Sequence, residues 1–128
     1  MHKVILMMLL AGVSSSAMAE WVSVGSNENT TIYVDQATVK RMGDMATMWH
    51  LTDFNNSQKD MGEPYLSTKD QNEYDCKEMQ WRRRAASQHS KNMGGGEKVY
   101  SDTYITRWKP VPPDSGVEIL WKFACIKR

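Results

Sequence analysis

The chain has 128 residues, with 16 Lys and Arg set against 15 Asp and Glu. That length suits one domain of common size and is short for two. The formal net charge of +1 argues against nucleic acid as the main partner, which would call for a strongly basic surface.

At the N-terminus, His2 and Lys3 precede an apolar run over residues 4–13, and Ala17 and Ala19 put small residues at the two positions that signal peptidase reads. Residues 1–19 are therefore expected to be a cleaved signal peptide. The apolar run has about half of the ~20 residues needed to span a bilayer. No cysteine lies near the expected cleavage site, so the exported protein is expected in the periplasm, secreted or at the cell surface, without a lipid anchor. Cleavage removes Lys3, which brings Lys plus Arg level with the 15 Asp plus Glu. Residues 20–128 contain no repeat, no low-complexity linker and no second apolar segment long enough to cross a membrane, and they read as one domain. Export also bears on Cys76 and Cys125, the two cysteines of the chain. In an oxidising compartment two thiols of a small domain close into a disulfide, and this one would tie the middle of the chain to its end.

The expected elements follow in order. Residues 20–25 form a short strand, residues 26–29 a polar turn, and the β-branched and aromatic residues 30–34 a second strand paired with the first. Asp35 is placed to cap a brief helical turn reaching Val39 and Lys40, and Gly43-Asp44 turns the chain. Residues 45–54 make a longer strand, with Met45, Thr47, Trp49 and Leu51 on one face and Ala46, Met48, His50, Thr52 and Phe54 on the other. Residues 55–63 read as a polar connection and residues 65–76 as a fourth strand. Residues 77–88 read as a fifth strand, although Met79, Gln80, Arg82 to Arg84, Ala85 and Ala86 also favour helix. The glycines at 94–96 form a flexible turn before a strand at 97–104. Three prolines keep residues 108–113 out of a sheet interior or a helix. Ser115 and Glu118 fit a capping box ahead of a helix over residues 116–126, on which Val117, Leu120, Trp121 and Ala124 share one face with Cys125 on its flank. The fold class is α+β: an antiparallel sheet of five or six strands with a C-terminal helix packed on one face and tied there by the disulfide.

Four segments resemble the surface-adhesin protein E family of Gram-negative bacteria: Tyr74-Asp75-Cys76-Lys77, Asn92 to Glu97 (NMGGGE), Trp108 to Pro113, and Leu120 to Cys125. Trp21 and Ile32-Tyr33-Val34-Asp35 extend the likeness to the N-terminal part. The resemblance implies an antiparallel sheet with a C-terminal helix, Cys76 and Cys125 as the bridge, and a non-catalytic, protein-binding role with extracellular matrix or serum proteins as partners. The alternative is a soluble periplasmic structural or stress-related protein with no adhesive role.

Other chemistry is thinly represented. Arg82-Arg83-Arg84, next to Trp81 and Lys77, could contact polyanions, and on a strand Arg82 and Arg84 share a face. Met42, Met45 and Met48 are of the soft type that binds copper(I), but a three-residue step places Met45 and Met48 on opposite faces of a strand, so no metal site is expected. His50 and His89 lie in no motif that would make either a general base. The triple glycine lacks the Gly-Lys-Ser/Thr ending of a phosphate-binding loop, and neither cysteine belongs to a Cys-X-X-Cys pair. No cofactor or catalytic residue is expected. Unpaired edge strands offer a route to partner binding or a homodimer, and the loops at 55–63 and 90–97 are the expected contact segments.

Overall fold

The computed structural model describes residues 20–60 and 62–126, so the expected signal peptide lies outside the described residues. Among the described residues, eight strands, β1 (Val22–Ser26), β2 (Thr30–Val34), β3 (Lys40–Met42), β4 (Met45–Gln58), β5 (Tyr65–Asp75), β6 (Gln80–His89), β7 (Lys98–Asp102) and β8 (Lys109–Pro110), precede one helix, α1 (Gly116–Cys125). They form a single antiparallel sheet ordered β1-β2-β4-β5-β6-β7. The short strand β3 pairs with the start of β4 beyond the end of β2, and β8 pairs with the start of β6. The strand count of the sequence reading is thus corrected from five or six to eight. The two additions are three and two residues long, too short to leave a periodic signal.

Local chemistry explains the other boundaries. The Asp35 side chain accepts a hydrogen bond from the Ala37 amide and starts a 3-10 turn over Gln36–Thr38. Gly43, at φ +63°, permits the two-residue hairpin that brings Met42 opposite Met45. Strand β4 runs past Phe54 into the polar residues that read as a connection. It does so because the Asn55 amide donates to the Asn29 carbonyl and the Asn55 side-chain nitrogen to the Glu28 carbonyl, tying this stretch to the β1–β2 turn.

The sheet carries α1 on one face. Val34, Ala46, Met48 and Tyr74 meet Leu120, Trp121, Ala124 and Cys125 in a buried cluster that also includes Val111. Each large apolar side chain removed from water there contributes roughly 1.5–3 kcal/mol. The Ser115 hydroxyl accepts from the Glu118 amide as a capping box requires, but the Glu118 carboxylate accepts from the Asp114 amide. The reciprocal bond falls one residue early because Asp114 is itself in the left-handed region, at φ +58°, which turns its amide toward the helix.

Three bonds fix the far end of α1. Cys76 and Cys125 form a disulfide that closes a sequence separation of 49 residues. The Trp121 indole donates to the Asp75 carbonyl at 3.0 Å, and the Arg41 guanidinium donates to the Cys125 carbonyl at 2.9 Å. A cation at this position also complements the negative end of the helix dipole.

Candidate binding site

The face of the sheet opposite α1 carries Arg82 and Arg84. Strand β6 has a bulge: Ala85 lies opposite Gln71 while Arg83 lies opposite Asn72, so Arg84 is the extra residue. Arg82 Nε reaches Glu73 Oε1 at 2.8 Å, and an Arg84 Nη reaches the same oxygen at 3.2 Å. The Arg82 guanidinium also stacks 4.5 Å from the centre of a Trp108 ring. The structure therefore brings the two sequence-predicted arginines together on a carboxylate that offsets part of their charge. Trp81 receives Lys109 over its ring at 4.9 Å in the same way.

The glycine-rich loop is held down, which corrects the expectation of a flexible turn. The Met93 amide and the Asn92 side chain both donate to Asp53, the Gly94 amide donates to the Ser67 hydroxyl, and that hydroxyl donates to the Lys91 carbonyl. Gly94 sits at φ +74°, where a Cβ would lie 2.5 Å from Lys69 Cε. The loop thereby covers Leu51, which is fully buried on this face. It joins the β1–β2 turn and the β4–β5 loop at one end of the sheet, while the disulfide lies at the other.

The remaining sequence candidates separate. Met48 is buried in the core while Met42 is exposed on β3, so the three methionines do not converge. Nε2 of the buried His89 meets the Ser87 hydroxyl at 2.8 Å, and burial lowers the His89 pKa. Its partner is two residues away on the same strand, a spacing that gave no motif. His50 is buried on the helix-bearing face with Nε2 3.8 Å from Asp70. Burial drives His50 down to about 4 and pushes Asp70 up to about 6, while Arg83 pulls Asp70 down and Asp102 pushes it up. At neutral pH the histidine is therefore uncharged beside a carboxylate, and their approach is not an ion pair.

Helix α1 leaves part of that face open. A cleft of about 370 Å³ lies between the β4–β5 loop and β7, with Thr68, Asp70, Arg83, Ala86 and Gln88 on its floor and Tyr100 and Asp102 on one wall. Cross-strand register explains the grouping, since Asp70 pairs with His50 on one side and Ala86 on the other, and Ala86 pairs with Asp102. Residues in register share a face. The rim carboxylates are satisfied. Asp60 accepts from the Tyr65 hydroxyl at 2.8 Å and from Gln88 at 3.1 Å, and Asp102 accepts from the Tyr100 hydroxyl and the Tyr104 amide. Burial and the bond to Asp60 push Tyr65 up to about 12, and the bond to Asp102 raises Tyr100. Sequence reading missed this cleft because its residues come from three separate strands, and only the register brings them together.

Together these features define a two-layer α+β module, stapled at one end by a disulfide and presenting two open polar surfaces. The chain belongs to the surface-adhesin protein E family, whose match covers residues 21–126. Among solved structures it is similar to Haemophilus influenzae protein E in its crystal form II, with a TM-score of 0.66 at 10% identity over 85% of this chain and 89% of that one. A second structure of H. influenzae protein E gives a TM-score of 0.62 at 9% identity over 85% and 86% of the respective chains. Protein E from non-typeable H. influenzae gives 0.61 at 10% identity over 85% and 77%. At these identities the likeness is one of fold. No curated protein matches the sequence.

Proposed function

We propose that this protein is an exported, non-catalytic, adhesin-like module that binds a protein partner in the cell envelope or outside it, with extracellular matrix or serum proteins as the partner class. The family match over residues 21–126 carries this reading. The fold is consistent with it, because a rigid stapled sheet presents fixed loops and open polar surfaces. Within this reading residues 20–128 work as one domain, released from a signal peptide and free of a lipid anchor. Arg82 and Arg84 are the proposed polyanion contacts. The free edges at β1 and β7 are the proposed sites of strand pairing, including pairing into a homodimer. The test is biolayer interferometry of the purified oxidised protein against immobilised matrix and serum proteins. Saturable binding that is lost on unfolding supports the reading. Absence of binding to every member of both sets contradicts the adhesive role and leaves a periplasmic structural role.

A further inference from the structure

The cleft on the helix-bearing face holds two charged groups that the fold does not pair with each other. Among the described residues, the ion pairs within 4.0 Å join Glu73 to Arg82 and Arg84, and the 3.8 Å contact of Asp70 is with the uncharged His50. Arg83 is not among them, and its Nε is buried without a hydrogen-bond partner. Asp70 is about one-fifth exposed at its side chain, the basic group within 4.0 Å of it is the neutral His50, and Arg83 acts on it only from beyond that distance. A guanidinium lining the cleft without an ion-pair partner and a largely buried carboxylate without a donor are each costly, and such groups in a cleft mark where a ligand would supply what is missing. The third and fourth charges of the cleft, Asp60 and Asp102, already have donors. What remains is one acceptor and one donor of opposite charge on adjacent strands β5 and β6, beside the exposed ring of Tyr100 and the small side chain of Ala86.

We infer that this cleft binds a small zwitterion of the α-amino-acid type, its ammonium group donating to Asp70 and its carboxylate accepting from Arg83. The cleft volume of about 370 Å³ accommodates a free amino acid and falls in the lower part of the range of small-molecule sites. A ligand with only one of the two charges would leave the opposite protein group unpaired. A neutral sugar would offer hydroxyls to both but no charge to either. The inference is independent of adhesion, because it uses the helix-bearing face and not Arg82 or Arg84.

Asp70 faces His50 from β4, Arg83 from β6 and Asp102 from β7, and its elevated pKa of about 6 gives the site a pH signature. The ionised carboxylate binds the ammonium, so affinity should fall as pH drops through about 6 while the ligand stays zwitterionic. The experiment is amide NMR titration of the oxidised protein with glycine, L-lysine and L-glutamate, and separately with methylamine, acetate and glucose. The expected result is saturable shifts around Asp70, Arg83 and Tyr100 with at least one amino acid, about tenfold or more weaker with methylamine, acetate and glucose. Asp70→Asn and Arg83→Gln should each weaken the amino-acid response by a similar factor, with the comparison of ligands on the unaltered protein serving as the control that needs no variant. No shift with any amino acid at about 10 mM, a concentration that reveals millimolar affinity, would overturn the inference. So would an equal response to glucose, which would mark a hydroxyl-binding site instead.

Discussion

Removal of the Cys76–Cys125 bridge should lower the melting temperature far more than the loss of any single side-chain contact. The bridge closes a separation of 49 residues, which in the chain-entropy model corresponds to about 4 kcal/mol of stabilisation. A domain of this size has a total stability of roughly 5–15 kcal/mol, so the bridge is a large share of it. At roughly 4–8 °C per kcal/mol for a domain near 100 residues, the expected drop is on the order of 15–30 °C. What remains without it is the packing of Leu120, Trp121 and Ala124 on the sheet, the Trp121 bond to Asp75 and the Arg41 bond to the Cys125 carbonyl. These should keep α1 docked at low temperature and lose it early on heating. The assay is thermal denaturation by circular dichroism and tryptophan fluorescence of the oxidised protein, the reduced protein and the Cys76→Ser/Cys125→Ser double variant. Melting points that coincide within a few degrees would refute the reasoning, since the staple would then constrain nothing that the core does not already hold.

Asp70→Asn should stabilise the protein at pH 7.5, because it replaces a buried carboxylate, whose folded pKa of about 6 is raised above the unfolded value, by a neutral group. In the native protein the Asp70 penalty is relieved as pH falls through about 6, while His50, depressed to about 4 by burial, loses stability as pH falls from about 6.5 towards 4. The two trends oppose each other, so the variant, which keeps the depressed His50 and His89 but lacks the Asp70 trend, should lose stability over that window more steeply than the native protein. Urea titrations from pH 7.5 to 4.5 would show parallel curves if the reasoning is wrong. Trp121→Phe should cost about 1–3 kcal/mol, since the buried Asp75 carbonyl loses its indole donor, and a change below about 0.5 kcal/mol in urea denaturation would contradict that role. Ser115→Ala should cost about 1 kcal/mol through the lost N-cap bond to Glu118, measured in the same way. Gly94→Ala should destabilise by about 1 kcal/mol, because alanine at φ +74° is strained even if the end of the Lys69 side chain moves aside; increased exchange of the Met93 and Gly94 amides is the readout, and unchanged exchange would show that the loop absorbs the methyl group.

The sequence was most informative where a local rule operated. Alternation placed β4, with Ala46 and Met48 facing the core, and the helical spacing of Leu120, Trp121 and Ala124 identified the buried face of α1. The Asp35 cap and the Ser115 cap were legible as side-chain oxygens preceding free amides. Strands β3 and β8 were illegible because pairing with a longer neighbour, not periodicity, defines them. The glycine loop misled because glycine permits both mobility and close approach. Here Asp53 and Ser67, distant in sequence, use the second property and bind the loop backbone. The ion pairs of Arg82 and Arg84 required knowing that Glu73 lies opposite Arg82. The cleft of Asp70 and Arg83 depended on register across three strands and on where α1 stops covering the sheet.

The adhesive reading, in which this protein meets matrix or serum proteins outside the cell, is tested most directly by its accessibility on intact cells. Antibody labelling and protease shaving of living cells, with a resident periplasmic protein as the control for leakage, give the answer in one experiment. Surface display predicts labelling and cleavage of this protein while the periplasmic control stays intact. Protection of both until the outer membrane is opened would contradict surface display and confine the protein to the periplasm.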